Sequence, residues 1–144
     1  MIQYPLVFNY HSQATPGIQT PWETSNHEGT ISPCAIPPEF GGPGQGHSPE
    51  DFLGLAIINC FVATFKVFAE KSKVDFKSLT ARGRLTVDRD DTGNPWMSQM
   101  QIQVQVTAGS ADPERLKRIL AKTSDSCLVV RSVKTQVHFE WSVL

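Results

Sequence analysis

The sequence predicts an α+β fold with the element order βββ-α-ββ-α-β. Two segments with helical patterns are each preceded by a capping residue and a proline, at Ser48-Pro49 and Asp112-Pro113. A long stretch between them alternates polar and apolar side chains with a period of two, which is typical of strands. Short segments bounded by turn residues come before the first helix, and a last apolar segment follows the second.

Three strands are predicted before the first helix, at residues 4–13, 17–24 and 28–36. Turn signals at Thr15-Pro16-Gly17 and around residues 26–29 separate them. Prolines inside the second and third segments favour edge or bulge positions there. Residues 37–47 are rich in glycine and proline and are predicted to be an irregular connector, of the kind that often borders a site.

The first helix is predicted to begin after Ser48 and to run to about Lys71. Glu50 and Asp51 occupy its first turn, where the helix dipole favours acids. The segment Phe52–Phe65 is apolar nearly all round, which predicts burial on most sides. A chain of 144 residues has little material to surround such a helix. An intimate dimer is therefore expected.

A long antiparallel hairpin is predicted next, with arms at residues 74–89 and 96–108. Glutamines alternate with apolar residues in its second arm, so one face of the sheet is expected to be exposed to solvent. The second helix starts after Asp112, with Leu116, Ile119 and Leu120 as its buried stripe. A strand at residues 136–143 closes the fold, which is expected to form a single domain over residues 1–144.

Composition excludes several classes of protein. All 13 basic residues lie from Lys66 onwards and form no basic block, so no nucleic-acid partner is predicted. Asn59, Thr64 and Lys66 interrupt the apolar stretch from Phe52 to Ala69, which favours a core helix over a membrane span. Three cysteines are too few for a disulfide scaffold, and the N-terminus has no signal-peptide pattern. A reducing, cytoplasmic compartment is therefore predicted.

The cysteines are the residues best suited to chemistry. Cys60 lies inside the apolar run of the first helix, and Cys127 lies just past the end of the second. Taken alone, Cys60 is most simply a small core residue, because free cysteine is commonly buried. Cys34 is predicted to be a strand residue or an incidental exposed thiol. Its spacing from His27 and His47 fits no usual zinc pattern, so no metal or cofactor is predicted.

Three motifs carry a family resemblance. They are Pro38-Glu39-Phe40-Gly41-Gly42-Pro43, then Ser48-Pro49-Glu50-Asp51-Phe52-Leu53, then Cys60-Phe61 ten residues after Glu50. Together they resemble the osmotically inducible and organic-hydroperoxide-resistance (OsmC/Ohr) family. The segment after Cys127 is similar to the second cysteine segment of that family, although the family usually has proline where Leu128 stands. The resemblance implies antiparallel sheets wrapped around two central helices in an intertwined homodimer.

The resemblance also implies an activity, since members are thiol-dependent peroxidases that prefer organic hydroperoxides. Cys60 then corresponds to the peroxidatic cysteine and Cys127 to the resolving one, with an external dithiol as reductant. Glu50 matches the glutamate that orients the catalytic arginine of the family. That arginine comes from the N-terminal strands, and this sequence has no Lys or Arg before Lys66. The equivalent residue is missing.

The missing arginine matters because only about 3% of an unperturbed thiol is thiolate at pH 7. Arg131, four residues after Cys127, is the first candidate for an activating cation, and His11, His27 and His47 are others.

Apolar side chains, Phe52, Phe61 and Phe65, are expected to line the substrate pocket. Glu50 and Cys60 are about 15 Å apart along one helix, which predicts a site composed from both subunits. The alternative function is a catalytically weakened OsmC-like dimer that binds a small molecule or lipid.

Overall fold

Two three-stranded sheets are the main elements of the computed structural model, which describes residues 2–144. The chain divides into two compact units, one ending at Phe52 and the other covering Leu53–Leu144. The boundary falls in the first turn of a long helix. These observations agree with the predicted α+β class, and the prediction of a single folding domain stays a prediction.

The N-terminal unit contains the strands β1 (His11–Gln13), β2 (Trp22–Asn26) and β3 (Gly29–Cys34), paired in the antiparallel order β1-β2-β3. The predicted meander is confirmed, but β1 is much shorter than the predicted residues 4–13. The connector includes a short 3₁₀ helix at Pro38–Phe40. Backbone hydrogen bonds join residue 47 to residues 33 and 35, so the connector folds back beside the end of β3.

Helix α1 (Pro49–Lys71) begins where its capping residue predicts. The Asp51 N–H donates to Ser48 Oγ at 3.1 Å, and the Ser48 N–H donates to the Asp51 carboxylate at 2.9 Å. This reciprocal pair satisfies two donors at the helix start, in the manner of a capping box. The helix ends at Lys71, about one turn after Phe68.

The strands of the C-terminal unit are β4 (Phe76–Arg89), β5 (Pro95–Ala108) and β6 (Gln136–Val143). β4 and β5 form the predicted antiparallel hairpin, but β6 pairs with β5 in parallel. The sheet is therefore mixed rather than antiparallel throughout. The reason is that helices α2 (Pro113–Ser126) and α3 (Leu128–Ser132) connect β5 to β6, and parallel neighbours need such a crossover connection.

The core lies between α1, α2 and the inner face of the β4-β5-β6 sheet. Phe61 stacks on Phe139 with ring centroids 4.9 Å apart, and Phe65 meets Phe76 edge to face at 5.0 Å. The alternating apolar residues of β5 are buried in this core and its glutamines are exposed, as predicted. The buried residues shared by these elements are Ile57, Ala69, Val74, Met100, Ile102, Val104, Val106, Leu116, Ile119 and Leu120.

Burial of α1 is less complete than the sequence suggests. Only Ile57, Phe61, Phe65 and Ala69 are buried, and they form one stripe with helical spacing. The opposite stripe is exposed, with Leu55 at 50% and Val67 at 47%. The prediction of burial on most sides is therefore wrong for the single chain. By length and composition α1 is also able to cross a membrane, because its most apolar 18-residue window has a mean hydropathy of 2.0.

Candidate active site

The candidate site is built on α1, where Cys60 lies about three turns after the first residue. Its side chain is partly buried. The next residue, Phe61, is fully buried against Phe139 of β6, which fixes the rotation of the helix about its axis. Cys60 is thereby held at the edge of the buried stripe rather than at its centre.

The second thiol, Cys127, stands between two helices. It ends α2 and precedes α3, and its backbone is extended (φ −65°, ψ 112°). This single residue therefore breaks what would otherwise be one helix. The Arg131 N–H donates to Cys127 O at 3.1 Å, which starts the hydrogen bonding of α3. The Cys127 side chain is fully buried.

The two thiols are brought together although they are 67 residues apart in the chain. The Cys60 and Cys127 side chains are neighbours, and both cysteines are reduced. The Val129 N–H also donates to Cys60 Sγ at 3.4 Å. The predicted pair therefore shares one site, at the point where α1 meets the α2–α3 junction.

The environment of Cys127 favours its protonated form. Burial and, to a smaller extent, the neighbouring Cys60 thiol raise the pKa of Cys127 to about 11. Backbone N–H groups of Val129 and Val130 oppose the shift only in part. At neutral pH Cys127 is therefore a protonated thiol.

Glu50 lies in the first turn of α1, ten residues before Cys60. That spacing corresponds to about 15 Å along the helix axis, so the two side chains of one chain do not touch. Its Oε2 atom is buried and, within residues 2–144, has no hydrogen-bond partner. A buried carboxylate oxygen without a partner is costly, so this position is suited to a cation or donor that residues 2–144 do not supply.

Arg131, the candidate activating cation, lies in the last turn of α3. Its backbone is close to the dithiol through Cys127 O, but its side chain is exposed. Among residues 2–144, ion pairs are formed by His27 with Glu28 and by Lys117 with Glu114, so the Arg131 guanidinium has no ionic partner there.

The three phenylalanines predicted to line a pocket occupy different environments. Phe61 and Phe65 are fully buried in the core, so neither ring is open to a ligand. Phe52 is partly buried and contributes to a cavity of about 410 Å³ in the N-terminal unit. The lining of this cavity is mainly aromatic and aliphatic, with Tyr10, Trp22 and Ile31 beside Phe52.

Cys34 is not an exposed thiol. It is the last residue of β3 and is fully buried, with its Sγ 3.6 Å from Ile31 O. Its backbone pairs with that of His47 in a single parallel β-bridge. In the part of the chain that the structure describes, no three His, Cys, Asp or Glu side chains lie close enough to hold a metal ion.

One feature of the site was not predicted from the sequence. The short helix α3 and its Val129 donor follow from the break at Cys127, and no capping signature marks that break. The extended backbone of Cys127 is the conformation favoured before proline, which the family usually has where Leu128 stands.

Comparison with known proteins identifies the family. The family model of OsmC-like proteins matches residues 42–142, which include Cys60, Cys127 and Glu50. The chain belongs to the OsmC-like family. The match confirms the resemblance carried by the Ser48–Leu53 and Cys60-Phe61 motifs.

Solved OsmC-like structures share the fold. An OsmC-like protein of unknown function from Vibrio cholerae aligns with a TM-score of 0.85 and 16% identity, over 96% of this chain and all of the other. An organic hydroperoxide resistance protein OsmC from Legionella pneumophila aligns with a TM-score of 0.71 and 15% identity, over 98% of each chain. In sequence, the uncharacterized protein YmaD of Bacillus subtilis is 23% identical over 128 residues, which cover 87% of this chain and 85% of that protein.

Proposed function

We propose that this OsmC-like protein is a thiol-dependent peroxidase that reduces organic hydroperoxides through a Cys60/Cys127 dithiol–disulfide cycle. The observation that carries the proposal is the pair of neighbouring reduced thiols, which the fold assembles from distant parts of the chain. Two structural neighbours, from Legionella pneumophila and Elizabethkingia anophelis, are organic hydroperoxide resistance proteins, which supports this substrate class.

The reaction has three steps. The Cys60 thiolate attacks one oxygen of the hydroperoxide, the O–O bond breaks, and the alkoxide takes a proton and leaves as an alcohol, so that Cys60 becomes a sulfenic acid. The Cys127 sulfur then attacks the Cys60 sulfur, an S–S bond forms, and the hydroxyl group leaves with the Cys127 proton as water. An external dithiol reduces the disulfide by thiol–disulfide exchange, which suits a reducing, cytoplasmic compartment.

The proposed active form is a homodimer, which the exposed stripe of α1 supports. Its members are mostly apolar or small, and such a stripe on a 23-residue helix is normally covered. The stripe comprises Leu55, Ala56, Asn59, Ala63 and Val67. A second subunit is also the simplest source of a partner for the buried Glu50 oxygen.

The test is the intact mass of reduced protein after brief treatment with one equivalent of cumene hydroperoxide. We expect a rapid loss of two hydrogens that peptide mapping assigns to a Cys60–Cys127 disulfide. Cys127→Ser is expected to stop at a Cys60 sulfenic acid, and Cys60→Ser to remain unoxidised. Cys34→Ser is the matched control and is expected to behave as the native chain does.

Unchanged thiols in this experiment would instead favour the second candidate, a dimer that binds a small molecule or lipid. The cavity of about 410 Å³ beside Phe52 supports that candidate, because its lining is largely apolar. The lack of any Lys or Arg before Lys66 also supports the binding candidate. Native mass spectrometry of the purified protein distinguishes the two, since a binder retains an apolar ligand and has inert thiols.

A further inference from the structure

A peroxidatic thiol needs a group that stabilises its thiolate, and this chain lacks the N-terminal cation that would do so. The backbone N–H of Val129 donates to Cys60 Sγ at 3.4 Å, and the buried thiol of Cys127 lies beside it. Both are neutral donors. Neither depends on the side chain of Arg131, which is exposed.

We infer that neutral donors from the α2–α3 junction, the Val129 N–H and the Cys127 S–H, take the place of the arginine in activating Cys60. This inference rests on the proposed function and specifies how its first step is promoted. Cys127 thereby has two successive roles at the same sulfur, first as a hydrogen-bond donor to Cys60 and then as the resolving thiol.

The break at Cys127 makes the backbone donor available. In a continuous helix the Val129 N–H would bond to the carbonyl four residues earlier, Asp125 O. Because Cys127 is extended, Val129 is the second residue of a new helix, where an N–H has no partner within that helix. Cys60 Sγ occupies this free position at 3.4 Å.

The protonation of Cys127 makes the second donor available. Its side chain is fully buried and its raised pKa keeps it a thiol at neutral pH. A thiol facing a thiolate donates its proton to that charge, and hydrogen bonds to charged acceptors are stronger than those between neutral groups. Once Cys60 is a sulfenic acid, the charged acceptor is gone and the Cys127 sulfur is free to attack.

Paired proline variants test the backbone donor. Val129→Pro removes the N–H that contacts Cys60, whereas Leu128→Pro places the same ring one residue earlier and keeps that N–H. The Leu128 side chain is 72% exposed, and the extended Cys127 backbone tolerates a following proline. We expect Val129→Pro to slow iodoacetamide modification of Cys60 at pH 7 about tenfold, with Leu128→Pro unchanged.

Substitutions of Cys127 test the second donor without altering the backbone. Cys127→Ser keeps a hydrogen-bond donor and Cys127→Ala removes it, and neither can form the disulfide. We expect Cys60 in the alanine variant to react about tenfold more slowly than in the serine variant. The ultraviolet absorbance of the thiolate at pH 7 should fall in parallel, which a change of accessibility alone would not produce.

Equal rates within both pairs would overturn the inference. So would a tenfold loss in Arg131→Ala with none in Val129→Pro, because the cation would then be Arg131. Failure of the proposed function has a different signature, in which the donors control alkylation of Cys60 as expected but cumene hydroperoxide produces no disulfide. Circular dichroism of all five variants establishes that the compared proteins are folded.

Discussion

The two units of this chain differ in how far their apolar residues are buried. The C-terminal unit, Leu53–Leu144, buries phenylalanines, β-branched residues and leucines in one continuous core. In the N-terminal unit the buried residues are few and small, namely Cys34, Ala35 and Ser48. Nine of the fifteen large exposed apolar residues among positions 2–144 lie before Phe52, including Tyr4, Phe8 and Tyr10.

This difference shows which part of the chain has its own source of stability. Burial of apolar surface is the main favourable term in folding, and the C-terminal unit provides it internally. The N-terminal strands have no comparable interior, and a three-stranded sheet needs a packed apolar face to be stable by itself. Their own unit therefore provides little of this term. The following predictions test the comparison, from the largest expected effect to the smallest.

Truncation of a core ring should have the largest effect. Phe61→Ala removes a fully buried side chain that stacks on Phe139, and we expect the free energy of unfolding to fall by about 3–5 kcal/mol. Phe8→Ala changes the same residue type where the side chain is 66% exposed, and should cost about 0.5 kcal/mol or less within the protomer. Urea denaturation at a fixed protomer concentration measures both, and equal losses would show that the two units are stabilised alike.

The raised pKa of Cys127 predicts an alkaline loss of stability that originates in the C-terminal unit. The unfolded thiol ionises from about pH 8.5, but the folded thiol only near a pKa of about 11. Between these values the unfolded state releases the proton first, so stability is complete below pH 8.5 and declines towards pH 11. The expected loss is about 3 kcal/mol. In thermal unfolding under reducing conditions, Cys127→Ser should show a correspondingly smaller decline, and identical curves would contradict the assigned burial.

A charge on the exposed stripe of α1 should weaken the proposed dimer. Ala63→Glu places a carboxylate where a partner helix would exclude water, and we expect a cost of about 2–3 kcal/mol, or about a hundredfold in the dissociation constant. Glu70→Ala, at an exposed position further along the helix, is the control. Sedimentation equilibrium measures both. A native chain that is monomeric at all concentrations would remove this explanation of the exposed stripe.

Helix caps give the smallest test. Ser48 caps the start of α1, and Asp112 caps α2 by accepting from the Glu114 N–H at 3.1 Å. Each substitution by alanine should cost about 1 kcal/mol. Hydrogen exchange separates their effects, because loss of the Asp112 cap should expose α2 amides only. Uniform exchange increases in both variants would mean that the two helices unfold as one.

The sequence by itself determined the elements whose signals are local. Alternation, capping residues and prolines depend on neighbouring positions, so α1, α2 and the β4–β5 hairpin are predicted close to their observed bounds. The bounds of β6 agree with its prediction as well. The family motif likewise indicates Cys60, Cys127 and Glu50, because it is defined by residue types and their spacing.

Tertiary structure decided the features that depend on contacts between distant residues. The parallel pairing of β6, the single buried stripe of α1 and the burial of Phe61 and Phe65 follow from packing against elements remote in sequence. The contact of Cys60 with Cys127 and Val129 has the same origin. A separation of 67 residues in sequence does not determine the distance between two side chains in space. Loop closure and core packing, not local propensity, bring such groups together.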